Sequence, residues 1–254
     1  MKEKDDVKRA FSKNKEDYVK SSTHASGSDL SLLPVWLNPK STMEVLDIAT
    51  GGGHVAKRLA PFVKRVVATD ITKAMLENTA AHLAAYSNID YVIADAESLP
   101  FLDNTFEIIT CRIAAHHFPN PKKFVSEVNR VLKPNGKFLF IDNIAAEQSD
   151  YGNFINTLEK MRDYSHVRSL RISEWKEIFN DNKLTFLKQQ ERKKTLPYDD
   201  WINRTLDMRE DKESVTNFIK NATSDIHDYY DIKFKNDNIK SFTIDEWMIL
   251  LEKK

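Results

Sequence analysis

Five short runs of apolar residues recur along the first 141 positions, at 45–49 (VLDIA), 66–69 (VVAT), 91–94 (YVIA), 107–113 (EIITCRI) and 137–141 (KFLFI). None alternates apolar with polar, the pattern of a strand covered on both faces, which favours a parallel sheet. Between the runs the spacing changes to threes and fours. Val55 and Leu59 make one such stripe, Met75, Leu76, Thr79 and Leu83 a second behind a Thr72 cap, and Phe124, Val125, Val128, Val131 and Leu132 a third. These are helices with one apolar face. Strand and helix alternate, so the topology expected is a doubly wound α/β fold. Pro134, Asn135 and Gly136 mark the turn that ends the last of these helices and opens the fifth strand.

Beyond residue 150 the period is helical around Phe154 to Met161 and from Ser173 to Phe179, followed by a strand-like LTFLKQQ at 184–190. Trp201, Ile202 and Leu206 predict one further helix, and Val215, Phe218, Ile219, Ile226 and Tyr229 a longer one. In the last segment Phe242 and Ile244 alternate, as do Trp247, Ile249 and Leu251, but the parity slips near Asp245, which predicts a bulge or two separate strands. Five of the six glycines and seven of the eight prolines precede residue 140. The tail therefore reads as charged helices and edge structure added to a compact core. One domain over 1–254 is expected, with its core at about 30–149 and insertions at about 150–172 and 196–237.

Composition narrows the function. Lys plus Arg equals Asp plus Glu, 38 of each, so no net positive field recommends nucleic acid as a partner. No apolar run approaches the ~20 residues that span a bilayer, and MKEKDDVKRAF is too charged to open a secretory signal. The single cysteine, Cys111, allows no internal disulfide. A cytoplasmic protein is the expectation.

The chemistry gathers at strand ends. Asp47, Ile48, Ala49, Thr50, Gly51, Gly52 and Gly53 follow the first strand and open a helix. Ligands of such folds bind beyond the carboxyl ends of the strands, and glycine lets them approach the backbone. Asp70 closes the second strand, where a carboxylate can accept from both hydroxyls of a ribose. Asp95 closes the third. Three consecutive strands each delivering an acid to one edge describe a nucleoside site.

In these segments the chain resembles the class I S-adenosylmethionine-dependent methyltransferases, and within them the ubiquinone/menaquinone-biosynthesis C-methyltransferase-like group. The resemblance covers roughly residues 18–143 and rests on VLDIATGGGHVA, VVATDIT, IADAESLPF, CRIAAHHFPNP and EVNRVLKPNGKFLFIDN, in that order. It implies a Rossmann-like methyltransferase fold with a seven-stranded, mostly parallel sheet and helical lid insertions. It further implies that Asp47, Ala49, Gly51 and Gly53 hold the methionine part of the cofactor, Asp70 the ribose, and Asp95 with the backbone of Ala96 the adenine edge. Ile71 and Met75 would line the pocket, Arg112 would lie beside the methionine part, and Tyr18 and His24 would cover it. Ala49 stands where the family commonly has its first glycine; alanine suits that place if its φ stays negative, which is the expectation here.

Methyl transfer from a sulfonium asks mainly for alignment and exclusion of water. A base helps if the small-molecule acceptor must lose a proton, for C- or O-methylation alike, and imidazole suits neutral pH. His116 and His117 follow the fourth strand; on an extended segment only one of them can face the cavity. Tyr164, His166 and Arg168 are candidates to meet the acceptor, Arg168 if it is anionic. No metal site is expected, since helical His spacing and a second cysteine are both missing. Two other readings share parts of the pattern. An NAD-dependent oxidoreductase has the strand, glycine turn and distant acid but not the acids at Asp47 and Asp95, and a non-catalytic cofactor-binding regulator would fit Ala49 and the lack of an unambiguous base.

Overall fold

The structure is a computed structural model that describes residues 2–13 and 27–254. Tyr18 and His24 lie outside the described residues. Strands β1 (Glu44–Ile48), β2 (Arg65–Asp70), β3 (Ile89–Ile93), β4 (Phe106–Arg112) and β5 (Leu132–Ile144) are all parallel and lie in the order β3-β2-β1-β4-β5. Helices α3 (His54–Leu59), α4 (Lys73–His82) and α5 (Pro121–Val131) make the crossovers. At α5 the local chemistry is plain: Pro121 sits in the first turn, and the Asn120 side chain accepts from the Lys123 amide at 3.0 Å.

Beyond β5 the sheet turns mixed. Strand β8 (Asn238–Lys253) runs antiparallel beside β5, and β6 (Leu184–Pro197) antiparallel beside β8. A three-residue strand, β7 (Lys233–Lys235), pairs with β8 and makes eight strands instead of the seven expected. All three residues of β7 are exposed, so no apolar period marks it.

Strand β8 corrects the reading of Asp245. Its pairing with β6 runs unbroken through that residue, and its pairing with β5 reaches Asp245 from Glu252 without a shift. Even-numbered Phe242 and Ile244 face one cluster, while odd-numbered Trp247, Ile249 and Leu251 face another, with Met248 and Leu250 buried opposite them. The strand is covered on both faces, so the apparent slip is a change in which face carries the larger side chains.

Two layers clothe the sheet. Phe124, Val128, Phe140, Trp175, Phe179 and Trp247 fill one face beneath α5 and α7 (Ile172–Asp181). Leu33, Leu37, Val55, Leu59, Val66 and Leu139 fill the other beneath α2 (Ser28–Leu37) and α3. Helix α1 (Lys2–Lys13) lies nearer the ligand edge. A third cluster joins α6 (Ser149–Arg162), α8 (Tyr198–Ile202) and α9 (Arg209–Lys220) through Phe154, Leu158, Trp201, Ile219 and Phe242. The single long helix expected over 215–229 is two: α9 stops at Lys220, and α10 (Ser224–Tyr229) starts afresh behind Thr223, whose hydroxyl accepts from the Ile226 amide.

Candidate functional site

Because five neighbouring strands are parallel, their carboxyl ends meet at one edge of the sheet, and each brings a polar group there. Asp47 is the last residue but one of β1, Asp70 ends β2, Asp95 follows β3, Arg112 ends β4 and Asp142 lies near the end of β5. Two cavities open at that edge and share Phe11, Ile113 and His117 as common wall.

The first cavity is walled by Ala49, Thr50, Gly51 and Gly52 of the glycine turn, by Asp70 and Ile71, and by Asp95 and Ala96. Asp70 takes hydrogen bonds from the Gly51 amide (3.2 Å) and the Thr72 amide (2.9 Å), so one carboxylate ties the turn to the start of α4. Burial raises its affinity for a proton against those bonds. Asp47 is also buried, accepting from the hydroxyls of Thr50 (2.6 Å) and Thr110 (2.7 Å), and burial pushes its pKa up to about 6. Arg112 is held by two hydrogen bonds to Asp29 of α2, which fix its guanidinium on the cavity wall. Lys4 of α1 reaches Asp95 and Glu97, each at 2.6 Å, and with Val7 and Phe11 closes the cavity from above.

The turn itself contains a correction. Ala49 has φ +52°, in the left-handed region, where negative φ was expected. The next residue but one, Gly51, also has φ +52°, and a Cβ there would meet nothing closer than the Met75 methyl at 3.9 Å. Gly53 has φ +75° and no room: a Cβ would fall 2.5 Å from Thr79 and 2.7 Å from Leu83. Gly53 therefore packs the turn onto α4 and does not face the cavity. Met75 is likewise fully buried beneath the turn, away from the cavity wall.

The second cavity is polar. His116, His117 and His166 line it with Asn143, Lys194 and Arg204, and with Glu159, Arg162 and Asp163 at the end of α6. Both neighbouring histidines face it, against the expectation of one, because Ala115–His117 form a 3₁₀ turn in place of an extended segment. The His116 and His117 rings lie 4.3 Å apart, and His116 and His166 5.6 Å apart. His116 Nδ1 meets Asp142 Oδ1 at 2.7 Å, and its amide donates to Oδ2 at 2.9 Å. Burial disfavours the imidazolium, but the charge and hydrogen bond of Asp142 outweigh it and raise the His116 pKa. His117, with Nδ1 on the Ser165 carbonyl at 3.0 Å, is pushed by burial down to about 4. His166, held by Asn156 at 3.0 Å, falls to about 3 for the same reason.

Of the other residues expected at the acceptor, Arg168 turns outward and pairs with Glu174 at 2.7 Å, and Tyr164 is half exposed; neither lines either of these two cavities. Asp142, Lys194, Arg204 and the α1 residues Lys4 and Phe11 were missed. Asp142 was within reach of the rule that found Asp47, Asp70 and Asp95, since FIDN ends the fifth strand as those acids end the first three. Lys194 and Arg204 come from an edge strand and a loop, where no local pattern points inward.

Ile113, which lines both cavities, is β-branched yet has φ +54°. Strain of this kind costs about 1–3 kcal/mol and persists where surrounding structure over-determines it, commonly at functional sites.

The chain belongs to the S-adenosylmethionine-dependent methyltransferases, and S-adenosylmethionine is its cofactor. A methyltransferase domain model matches residues 46–140. The uncharacterized methyltransferase YcgJ of Bacillus subtilis (strain 168) is 38% identical over 222 residues, 87% of this chain and 88% of that protein. The crystal structure of YcgJ superposes with a TM-score of 0.85 at 35% identity, covering 89% of this chain and 97% of that one. A Bacillus halodurans C-125 protein described as a methyltransferase superposes with a TM-score of 0.87 at 40% identity, covering 89% and 99%. Similarity to the ubiquinone/menaquinone biosynthesis C-methyltransferase of Rickettsia typhi is more local: 34% identity over 113 residues, 41% of this chain and 46% of that one.

The residues present fit the cofactor. The wall carries the carboxylates of Asp47, Asp70 and Asp95, which suit hydroxyl donors and a cationic sulfur and would repel the pyrophosphate of a dinucleotide. Gly51 leaves its backbone open where a side chain would intrude.

Proposed function

We propose that this methyltransferase acts on a small-molecule acceptor bound in the second cavity, with His116 as the base that removes the acceptor's proton. The observation that carries the reading is the His116–Asp142 pair at 2.7 Å beside a cavity that shares a wall with the cofactor pocket. Asp70 would accept from the ribose hydroxyls, Asp95 and the Ala96 backbone would meet the adenine edge, and Ala49, Gly51 and Arg112 would border the methionine part. When bound, S-adenosylmethionine supplies a methyl carbon on a positively charged sulfur, which keeps the bonding pair as the acceptor's own pair forms the new bond.

The chain's residues set the rest. Asp142 accepts from His116 Nδ1–H, so Nε2 is left as the basic nitrogen, and the proton of the acceptor's O–H or activated C–H moves to it. His117 and His166, both neutral at pH 7, shape the pocket without competing for that proton. Phe11 stands between the cavities with its ring 5.1 Å from that of His117 and keeps water from the shared wall. The segments 150–172 and 196–237 close over the acceptor as a lid on the single domain.

The test is S-adenosylhomocysteine release with a panel of small-molecule acceptors. His116→Asn should lower kcat by about 10²–10⁴-fold with cofactor affinity unchanged. Asp142→Asn should lower it in the same direction and alter the acidic limb of the pH profile. A His116→Asn enzyme that turns over as the wild type does removes the base from this reading.

A further inference from the structure

Resting on that reading, we infer that the acceptor is a small organic anion, a carboxylic acid whose charged end is bound by Lys194 and Arg204 and whose methyl-accepting atom lies toward His116. The inference starts from the charges around the second cavity. Glu159 is already engaged, accepting from Arg162 at 2.7 and 3.1 Å and from the Trp201 indole at 3.3 Å. Asp163 accepts from the Ser165 hydroxyl and amide, at 2.5 and 2.8 Å. Asp142 is taken up by His116. The acids of the cavity therefore have local partners, and the cations Lys194 and Arg204 line the same cavity.

Lys194 is the telling residue. Its ammonium, with a side chain only 19% exposed, has Glu246 at 3.9 Å as its nearest acid among the described residues, beyond hydrogen-bonding distance. Glu246 is shared, with Arg192 at 3.5 Å. Burial lowers the Lys194 pKa against the pull of Glu246, the sign of a cation short of compensation. Arg204 lines the same cavity. Nearby, Asn143 Oδ1 is buried with no hydrogen-bond partner, although the residue lines the cavity. A largely covered ammonium with no acid inside hydrogen-bonding distance and a buried amide oxygen without a partner both ask for a ligand. A carboxylate satisfies the first, and a hydroxyl or amine on the same small molecule satisfies the second.

The same lining disfavours a long apolar acceptor. A polyisoprenoid chain would lay hydrocarbon over the Lys194 ammonium and return no hydrogen bond to it or to Asn143 Oδ1. An acid that carries a hydroxyl or amine offers a partner to both.

The experiment uses the full chain, methyl-labelled S-adenosylmethionine and a protein-free small-molecule extract, with products separated by anion exchange and by partition into heptane and label in each fraction counted above a control without the protein. Label retained on the anion exchanger is expected. Label in the neutral flow-through or in heptane overturns the inference and leaves methyl transfer standing. Absence of label in every fraction, with S-adenosylhomocysteine still bound by the protein, overturns the transferase reading and this inference with it. On the retained acceptor, Lys194→Gln and Arg204→Gln should each raise KM about 10- to 100-fold, with kcat within a few-fold and cofactor affinity unchanged, and Lys194→Arg should recover part of the loss. KM values in both Gln variants equal to that of the wild type overturn the assignment of the charged end.

Discussion

Ala49 shows how one residue can carry both a motif and a cost. At φ +52° an alanine costs about 1–2 kcal/mol more than a glycine, of which the freedom glycine loses on folding returns about 0.5–1 kcal/mol. Ala49→Gly should therefore stabilise the fold by about 0.5–1 kcal/mol, about 1–4 °C in Tm for a domain of this size, read by calorimetry. A lower Tm contradicts the strain assigned to this turn. The sequence revealed that Ala49 departs from the glycine pattern but not its φ, which depends on how Thr50 pins the turn to β2, its amide donating to the Thr69 carbonyl at 2.7 Å. His166 carries a second prediction. Its pKa falls from 6.5 in the unfolded chain to about 3 in the fold, so the native state resists protonation, and its contribution is complete above pH 6.5 and lost as pH falls toward 3. The stability difference between wild type and His166→Asn should shrink by about 1.4 kcal/mol per pH unit below 6.5. A difference that stays constant from pH 7 to 5 places His166 in a more solvated setting than the structure does.

At the scale of elements, α1 stands apart from the wound core. It closes the first cavity with Lys4 on Asp95 and Glu97 and with Phe11 against His117, yet among its described residues it contributes only Ala10 to the buried apolar set. Removing residues 2–13 should raise the cofactor's dissociation rate at least about tenfold, while the sheet keeps most of its thermal stability. Unchanged release kinetics in stopped flow would contradict a covering role. The core elements were legible because burial on both faces leaves continuous apolar runs in β1, β2 and β4, and one stripe per helix in α4 and α5. The rest was less so. Thr223 restarts a helix inside a good periodic pattern, β7 has no buried residue, and β8 hides its period because both its faces are covered.

For the whole molecule, the parallel sheet turns a local fact into a global one. Acids at the ends of separate strands converge only because all five strands point the same way, so Asp47, Asp70 and Asp95 could be read as one site from sequence, and Asp142 by the same rule. The second cavity was not legible, since Glu159, Lys194 and Arg204 come from three separate additions to the core. No described helix is long and apolar enough to cross a membrane. With charge balanced over the chain, specificity rests on placement of individual ions and not on a net field. The most direct measurement is calorimetric titration of S-adenosylhomocysteine and of NADH into the wild type and into Asp70→Ala, with folding of the variant checked by circular dichroism. Saturable binding of S-adenosylhomocysteine alone, weakened at least about 30-fold in folded Asp70→Ala, is the expected result. Binding of NADH in its place, or equal affinity in both proteins, contradicts a nucleoside held by the carboxyl ends of this sheet.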